Sequence, residues 1–548
     1  MPRIDISNLR GDLFGGITAG IVALPLALAL GVASGMGPIA GLYGAIFVGF
    51  FAALFGGTPA QISGPTGPMV VVLAGVAASL PGRPDLVFTA VMLAGLFQIG
   101  FGVLRLGEYI RLVPYPVVSG FMSGIGVIIV LLQVGRLLGS EPPGDTVSAL
   151  VHIAHALSEV DRGASTVGVL TVAVAFCWPK GFAKYLPAPL AALIAGTIAG
   201  LFVNAPVLGD IPSGLPRLQM PVFDREAMLL VLEVAIVLAA LGAIDSLLTS
   251  LVADNVTRTR HDSNRELIGQ GIGNTVAGLF GGIAGAGATM RTIANIRTGG
   301  RTPLSGMLHA VVLLAFVLGL GPLAARIPHA ALAGILVKVG WDIIDWNYLK
   351  RAHRGPRWDL LLMFVVLGLT VFADLITAVA IGVVLASIAY VRQVATAQIE
   401  AVAEWPHVPR TEEEAELTRR AGGRIHVLDF AGPLSFGATA DLVHHVRERS
   451  RRDGTKILIL DLSRVPFVDV SAARAIEAIV TDARQSNRTA FLAGVKDEVL
   501  RVLTALGADH GIDERHVFPT RIEALREAVS MLETAHDSAL PRRTAIAG

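Results

Sequence analysis

The chain has 548 residues and a mean hydropathy of +0.64; 53% of its residues are apolar and only 16% are charged. A soluble protein typically carries about 25% charged residues, so an ordinary soluble globule is excluded; the net charge of +1 says nothing about a nucleic-acid partner, but no basic run of the necessary density appears and none is expected. Cys177 is the only cysteine, which excludes an intramolecular disulfide and a cysteine-rich metal site.

The first ten residues, Met1 to Arg10, are polar, and no small-residue cleavage site follows the first apolar run, which is therefore expected to be retained. A helix crossing the hydrocarbon core needs about 20 apolar residues, fewer where it is broken. Runs of this kind predict spans near 13–34, 38–56, 66–80, 86–106, 116–138, 165–178, 187–204, 227–253, 265–281, 288–298, 304–327, 330–345, 358–374 and 376–394. With the N-terminus in the cytoplasm, the loops after even-numbered spans should be basic. They hold Arg105 and Arg111, Lys180 and Lys184, Arg258, Arg260 and Arg265, Arg297 and Arg301, then Lys350, Arg351, Arg354 and Arg357. The long loop after the fifth span instead holds Glu141, Asp145, Glu159 and Asp161, so the charges agree with cytoplasmic termini. Within the first span, Pro25 is expected to kink the helix.

Two spans are conspicuously short, one after Ser63-Gly-Pro-Thr-Gly-Pro68 and one after Gly285-Ala-Gly-Ala-Thr289. Each is third in its group of seven. Paired interrupted segments in the two halves of a transporter point to its binding site. The first N–H groups of a helix lack intrahelical partners and carry about half a positive charge. Two such ends facing each other bind an anion without a buried cation. Thr66 and Thr289 offer hydroxyl donors, while Gly67 and Ala288 allow close approach to the backbone. Ordinary glycine-rich crossings are the competing reading.

Asp245 lies deep in the apolar run Leu241-Gly-Ala-Ile-Asp-Ser-Leu-Leu-Thr249, where a carboxylate is costly unless it faces a polar cavity or a partner. Thr249, one turn on, shares its face. A sodium site, a proton relay and a structural pair with an arginine are all open from these residues. Arg291 either raises the potential around an anion or pairs with Asp245. Asp254 and Glu266, beside a basic stretch, read as loop contacts. No nucleophile triad, metal-ligand cluster or phosphate-binding glycine loop is present, so an enzyme is not expected.

After about Thr411 the pattern becomes that of a soluble α/β domain. Arg424–Phe430 and Lys456–Leu462 are strand-like, and Ser471–Arg484 and Asp497–Leu506 have helical spacing. The expected organisation is a membrane domain at 1–396, a linker at 397–413, an α/β domain at 414–535 and a disordered tail at 536–548.

Gly11-Asp-Leu-Phe-Gly-Gly-Ile-Thr-Ala-Gly20, Ala23-Leu-Pro-Leu-Ala27 and Ile62-Ser-Gly-Pro-Thr-Gly-Pro68 resemble the sulfate permease (SulP) family of anion transporters. Val465-Pro-Phe-Val-Asp-Val-Ser471 resembles the STAS domain (sulfate transporter and anti-sigma-factor antagonist). Gly242–Asn274 and Gly285–Thr292 resemble the family's sodium-dependent bicarbonate transporters. This resemblance implies an α-helical membrane protein of about fourteen spans in two inverted seven-helix repeats, divided into core and gate domains, with an elevator-like movement and a small α/β STAS domain. It implies residence in the cell (inner) membrane, with the STAS domain in the cytoplasm. It also implies a homodimer in which STAS participates, and a possible soluble regulator of STAS. It assigns sodium to Asp245, Thr249, Gly287 and Ala288. Bicarbonate or another small anion falls to Thr66, Gly67, Pro68, Ala288, Thr289, Met290 and Arg291. The alternative is sulfate or dicarboxylate transport coupled to protons or sodium. Val470 stands where soluble anti-sigma-factor antagonists carry a phosphorylated serine, so switching there is not expected. Asp469 and Ser471 read as a helix N-cap.

Overall fold

The computed structural model describes residues 7–539 apart from 111–112, 141–145, 180, 183–185, 210–215, 320–323, 374, 404–408, 436–442, 445, 447–453 and 509–513. Arg111, Glu141, Asp145, Lys180 and Lys184, used above in the charge reading, lie outside the described residues. The chain divides into two compact units, residues 1–385 and 386–548.

In the first unit, long apolar runs form helices α1 (Leu9–Ala33), α2 (Pro38–Phe55), α3 (Gly67–Ser79), α4 (Pro84–Val103), a short α5 (Gly107–Ile110) and α6 (Tyr115–Leu138). After them come α7 (Thr146–Ser158), α8 (Arg162–Cys177), α9 (Ala188–Gly200), α10 (Met228–Thr257), α11 (Ser263–Leu279), α12 (Thr289–Arg297) and α13 (Pro303–Gly319). Helices at His329–Ile343, Trp346–Leu349 and Arg357–Phe372 follow, and the helix Leu375–Ala403 begins in the first unit and ends in the second. Every apolar run predicted above has a helical counterpart. By length and composition, six described helices can cross a membrane: α1, α2, α4, α6, α10 and Thr377–Thr396. Helices α3, α9 and α13 are apolar but shorter.

Two packing groups are apparent. Helices α1, α2, α4, α10, α11 and α13 pack mainly on one another, with α3 and α12 between them; α6, α8, α9, His329–Ile343 and Arg357–Phe372 form the second group. Without a hydrophobic driving force in lipid, such helices associate through close van der Waals contact at small residues. Between α4 and α11, a Cβ at Gly95 would lie 2.4 Å from the Gly271 carbonyl oxygen, and one at Gly271 would lie 2.5 Å from that of Gly95. Only glycine fits there. Pro25 sits buried inside an uninterrupted α1.

Sequence patterning missed one feature that organises the first group. Before α3 and α12 the chain is extended, and β1 (Ser63–Gly64) pairs antiparallel with β2 (Ala286–Gly287), Ser63 opposite Gly287 and Gly64 opposite Ala286. The Ala288 N–H extends the pairing by donating to the Ile62 carbonyl at 2.8 Å. A Cβ at Gly285 would stand 2.5 Å from the Gly64 carbonyl carbon, so the crossing depends on glycine. Asn274 of α11 holds the second strand's approach, donating to the Gly285 carbonyl at 2.9 Å and accepting its N–H at 2.8 Å.

The region between α6 and α8, expected to be loop, contains α7, which is bent by 118° from α8. Asp161 caps α8 by accepting the Ala164 N–H at 2.6 Å. Polarity alone hid α7, because an amphipathic helix lacks an uninterrupted apolar run.

The second unit contains a parallel sheet, β3 (Ile425–Ala431), β4 (Ile457–Arg464), β5 (Thr489–Ala493) and β6 (Val517–Phe518), in that spatial order. Helices Val470–Gln485 and Asp497–Ala505 cover one face around Leu460, Ile476 and Leu503. Helices Glu412–Ala421 and Arg521–Ala539 cover the other around Leu417, Phe491 and Leu525. Central strands buried on both faces explain their continuous apolar runs. Leu375–Ala403 extends past residue 396, and Thr411 caps the next helix by accepting the Glu414 N–H at 3.2 Å. The last helix reaches Ala539, four residues into the expected tail; residues 540–548 lie outside the described residues.

Candidate functional site

Both helix ends open on one cavity of about 420 Å³ in the first unit. Its lining includes Thr66, Gly67 and Pro68 from the first interruption, and Gly287, Ala288, Thr289, Met290 and Arg291 from the second, together with Asp245. The antiparallel crossing sets this geometry, since it sends α3 and α12 away from a shared point. Thr66 and Ala288 precede the helices in extended conformation, and neither end has a side-chain cap. The first helical bonds run from Val70 N–H to the Thr66 carbonyl and from Thr292 N–H to the Ala288 carbonyl. Earlier N–H groups therefore have no intrahelical partner. Pro68 supplies none, leaving Gly67 and Met69 on one side and Thr289, Met290 and Arg291 on the other.

Oxygen atoms gather beside these ends. Thr249 donates its hydroxyl to the Gly287 carbonyl at 3.0 Å and lies 2.7 Å from the Thr289 hydroxyl. With that proton committed to Gly287, Thr289 is the donor between the two hydroxyls. Asp245 is buried, and its Oδ2 has no hydrogen-bond partner among the described residues. The Thr66 hydroxyl is buried beside the Asp245 carboxyl. A carboxylate, a hydroxyl and a carbonyl are donors suited to a hard cation. Ala288, expected in both ligand sets, follows Gly287 at this junction. Arg291 is buried, with Nη2 donating to the Pro65 carbonyl at 2.5 Å and Nη1 unpartnered among the described residues. It interacts with Asp245 electrostatically across the site.

Glu266 corrects the loop assignment made above. It is buried, and its Oε2 accepts the N–H groups of Gly57 and Thr58, each at 2.9 Å. Its Oε1 accepts from Gln61 and Gln270, each at 2.8 Å. Gln270 also donates to Ser63 at 2.6 Å, so this carboxylate anchors the approach to β1. Asp254 does make local contacts, accepting the His261 N–H at 3.0 Å.

The sequence reading also missed Lys338 and Asp342, which line the cavity as an ion pair on His329–Ile343. Two charges four residues apart within an apolar span were the available signal. Met122, Ala175 and Ile343 line the cavity from the same packing group.

The chain matches the sulfate permease family over residues 9–366 and the STAS domain over residues 417–524. It is 44% identical to the bicarbonate transporter BicA of Synechocystis, covering 97% of this chain and 96% of that protein. It is 33% identical to the putative sulfate transporter YvdB of Bacillus subtilis, covering 94% and 97%. The solved transmembrane domain of a cyanobacterial BicA is 52% identical, with a TM-score of 0.66, over 69% of this chain and all but 1% of that one (99%). The structure of SLC26A9 is 18% identical with a TM-score of 0.81 over 97% of this chain and 92% of that one, a likeness of fold.

The fold and these matches define a multi-pass helical membrane transporter carrying a C-terminal STAS domain. The chain belongs to the sulfate permease family of anion transporters.

Proposed function

We propose that this chain carries bicarbonate inward together with sodium by elevator-like alternating access. The observation that carries the reading is the convergence on one cavity of two uncapped helix ends, Asp245 and Gly287, with Thr249 bonded to the Gly287 carbonyl behind it. Bicarbonate binds the N–H groups of α3 and α12, with the Thr66 and Thr289 hydroxyls beside it and Pro68 and Met290 flanking. Sodium binds Asp245, Thr249 and the backbone at Gly287 and Ala288.

Charge balance links the two ligands. Asp245 and Arg291 cancel, so an anion alone leaves the buried site negative, and sodium restores neutrality. Each ligand then raises the other's affinity, a reciprocal coupling typically worth about 1–3 kcal/mol. The names of the two BicA relatives, each 44% identical, support bicarbonate as cargo.

In this reading the first packing group is the core that moves and the second is the gate. Antiparallel pairing of the two corresponding strands supports fourteen spans in inverted repeats, because a two-fold axis in the membrane plane reverses strand direction. Both termini face the cytoplasm, the protein resides in the cell membrane, and STAS contributes to a homodimer and offers a surface for a soluble regulator.

Uptake of labelled bicarbonate into proteoliposomes, with and without a sodium gradient, tests the proposal. Uptake should rise with sodium; equal uptake in both conditions defeats the coupling. Competition by sulfate, fumarate and chloride tests the cargo. Transport of sulfate but not bicarbonate would shift the reading to the activity named for YvdB.

A further inference from the structure

We propose that the Lys338–Asp342 pair sets the sodium requirement of anion binding, Asp342 neutralising a cationic charge that would otherwise hold the anion without sodium. The inference rests on the function proposed above and adds two residues to it.

Among the described residues, the cavity lining contains four formally charged groups, Asp245 and Arg291 on the first packing group and Lys338 and Asp342 on the second. Two are positive and two negative, so the charges balance, and removing a single member of either pair unbalances them. Lys338 Nζ contacts both carboxylate oxygens of Asp342 and lies 5.2 Å from the centroid of the Phe176 ring. The cation is thus fixed between a carboxylate and an aromatic face, with 25% of its side chain exposed.

Helix stability does not account for this pair. Lysine placed four residues before an acid is the less favourable order on a helix. Asp342 also lies one residue from the end of its helix at Ile343, against the negative end of the helix dipole. Removing Asp342 should relieve that repulsion. Its position at the cavity fits charge control: the carboxylate lowers the cavity's attraction for anions until sodium brings a second cation.

The test is initial labelled-bicarbonate uptake by the full chain in proteoliposomes, across sodium from zero to saturation. Wild type, Asp342→Asn, Lys338→Gln and the double variant are compared. Uptake by Asp342→Asn at zero sodium, as a fraction of its saturated rate, should rise about tenfold, the scale of one added charge across a partly hydrated cavity. Lys338→Gln should raise the bicarbonate KM about tenfold and retain the sodium requirement. The double variant restores charge balance without restoring the ion pair, so its zero-sodium fraction should return to within about threefold of wild type. An unaltered sodium profile in Asp342→Asn, or an unaltered bicarbonate KM in Lys338→Gln, with only protein yield or maximal rate reduced, overturns the inference. Asp342→Ser serves the same comparison if the asparagine variant folds poorly. Failure of the wild type itself to take up bicarbonate in response to sodium would instead overturn the underlying function.

Discussion

Asp245→Asn removes a buried negative charge while leaving the side-chain volume nearly unchanged. Half-maximal sodium for uptake is expected to rise at least about tenfold, as one lost charge near a bound cation implies; titrating uptake against sodium measures it. A purely structural aspartate would lower folded yield and leave that titration unaltered. Glu266→Gln makes a different case. Its four acceptor contacts include two backbone N–H groups at Oε2, and an amide nitrogen placed there accepts neither. Stranding buried donors costs about 1–3 kcal/mol each, so a clear loss of thermal stability in detergent is expected; an unchanged melting temperature would contradict the anchoring role. The sequence exposed Asp245 because a lone carboxylate interrupts an apolar run. Glu266 was misread because its acceptors are satisfied by residues some 200 positions earlier, and no local pattern records that distance.

At the scale of elements, the helix after β4 illustrates what local sequence encodes. Asp469 accepts the Ala472 N–H at 2.8 Å as its N-cap, whereas Ser471 lies inside the helix. Asp469→Ala should destabilise the second unit by about 1 kcal/mol, measured as an earlier thermal transition of that unit; no shift would mean the cap is replaced by water. The apolar helices of the first unit, α7 apart, were equally readable, since long apolar runs have few alternatives. The β1–β2 crossing was not. Two-residue strands have no periodicity, and their pairing joins segments more than 200 residues apart. Sequence marked both places as interruptions, but their facing geometry comes from the crossing. Helix α7 escaped for a simpler reason, being too amphipathic to stand out as a span.

At the scale of the whole molecule, the two packing groups in the first unit predict relative motion. In a Cys177→Ser background, spin labels at exposed Val256 of α10 and Leu361 of the helix Arg357–Phe372 would report it. Sodium with bicarbonate should shift the inter-label distance by roughly 5 Å, the scale of a one-turn displacement between helices. A distribution unmoved by sodium, bicarbonate or both would defeat the elevator reading. By itself, the sequence determined the membrane class, the positions of the apolar helices, the α/β character of the C-terminal unit and the locations of both interruptions. Those properties follow from composition and local periodicity, which each segment carries alone. Tertiary structure decided that the interruptions meet, that Glu266 anchors one of them, and that Lys338 and Asp342 join the cavity. Such features depend on contacts between distant segments, where burial and charge acquire meaning only after the helices have packed.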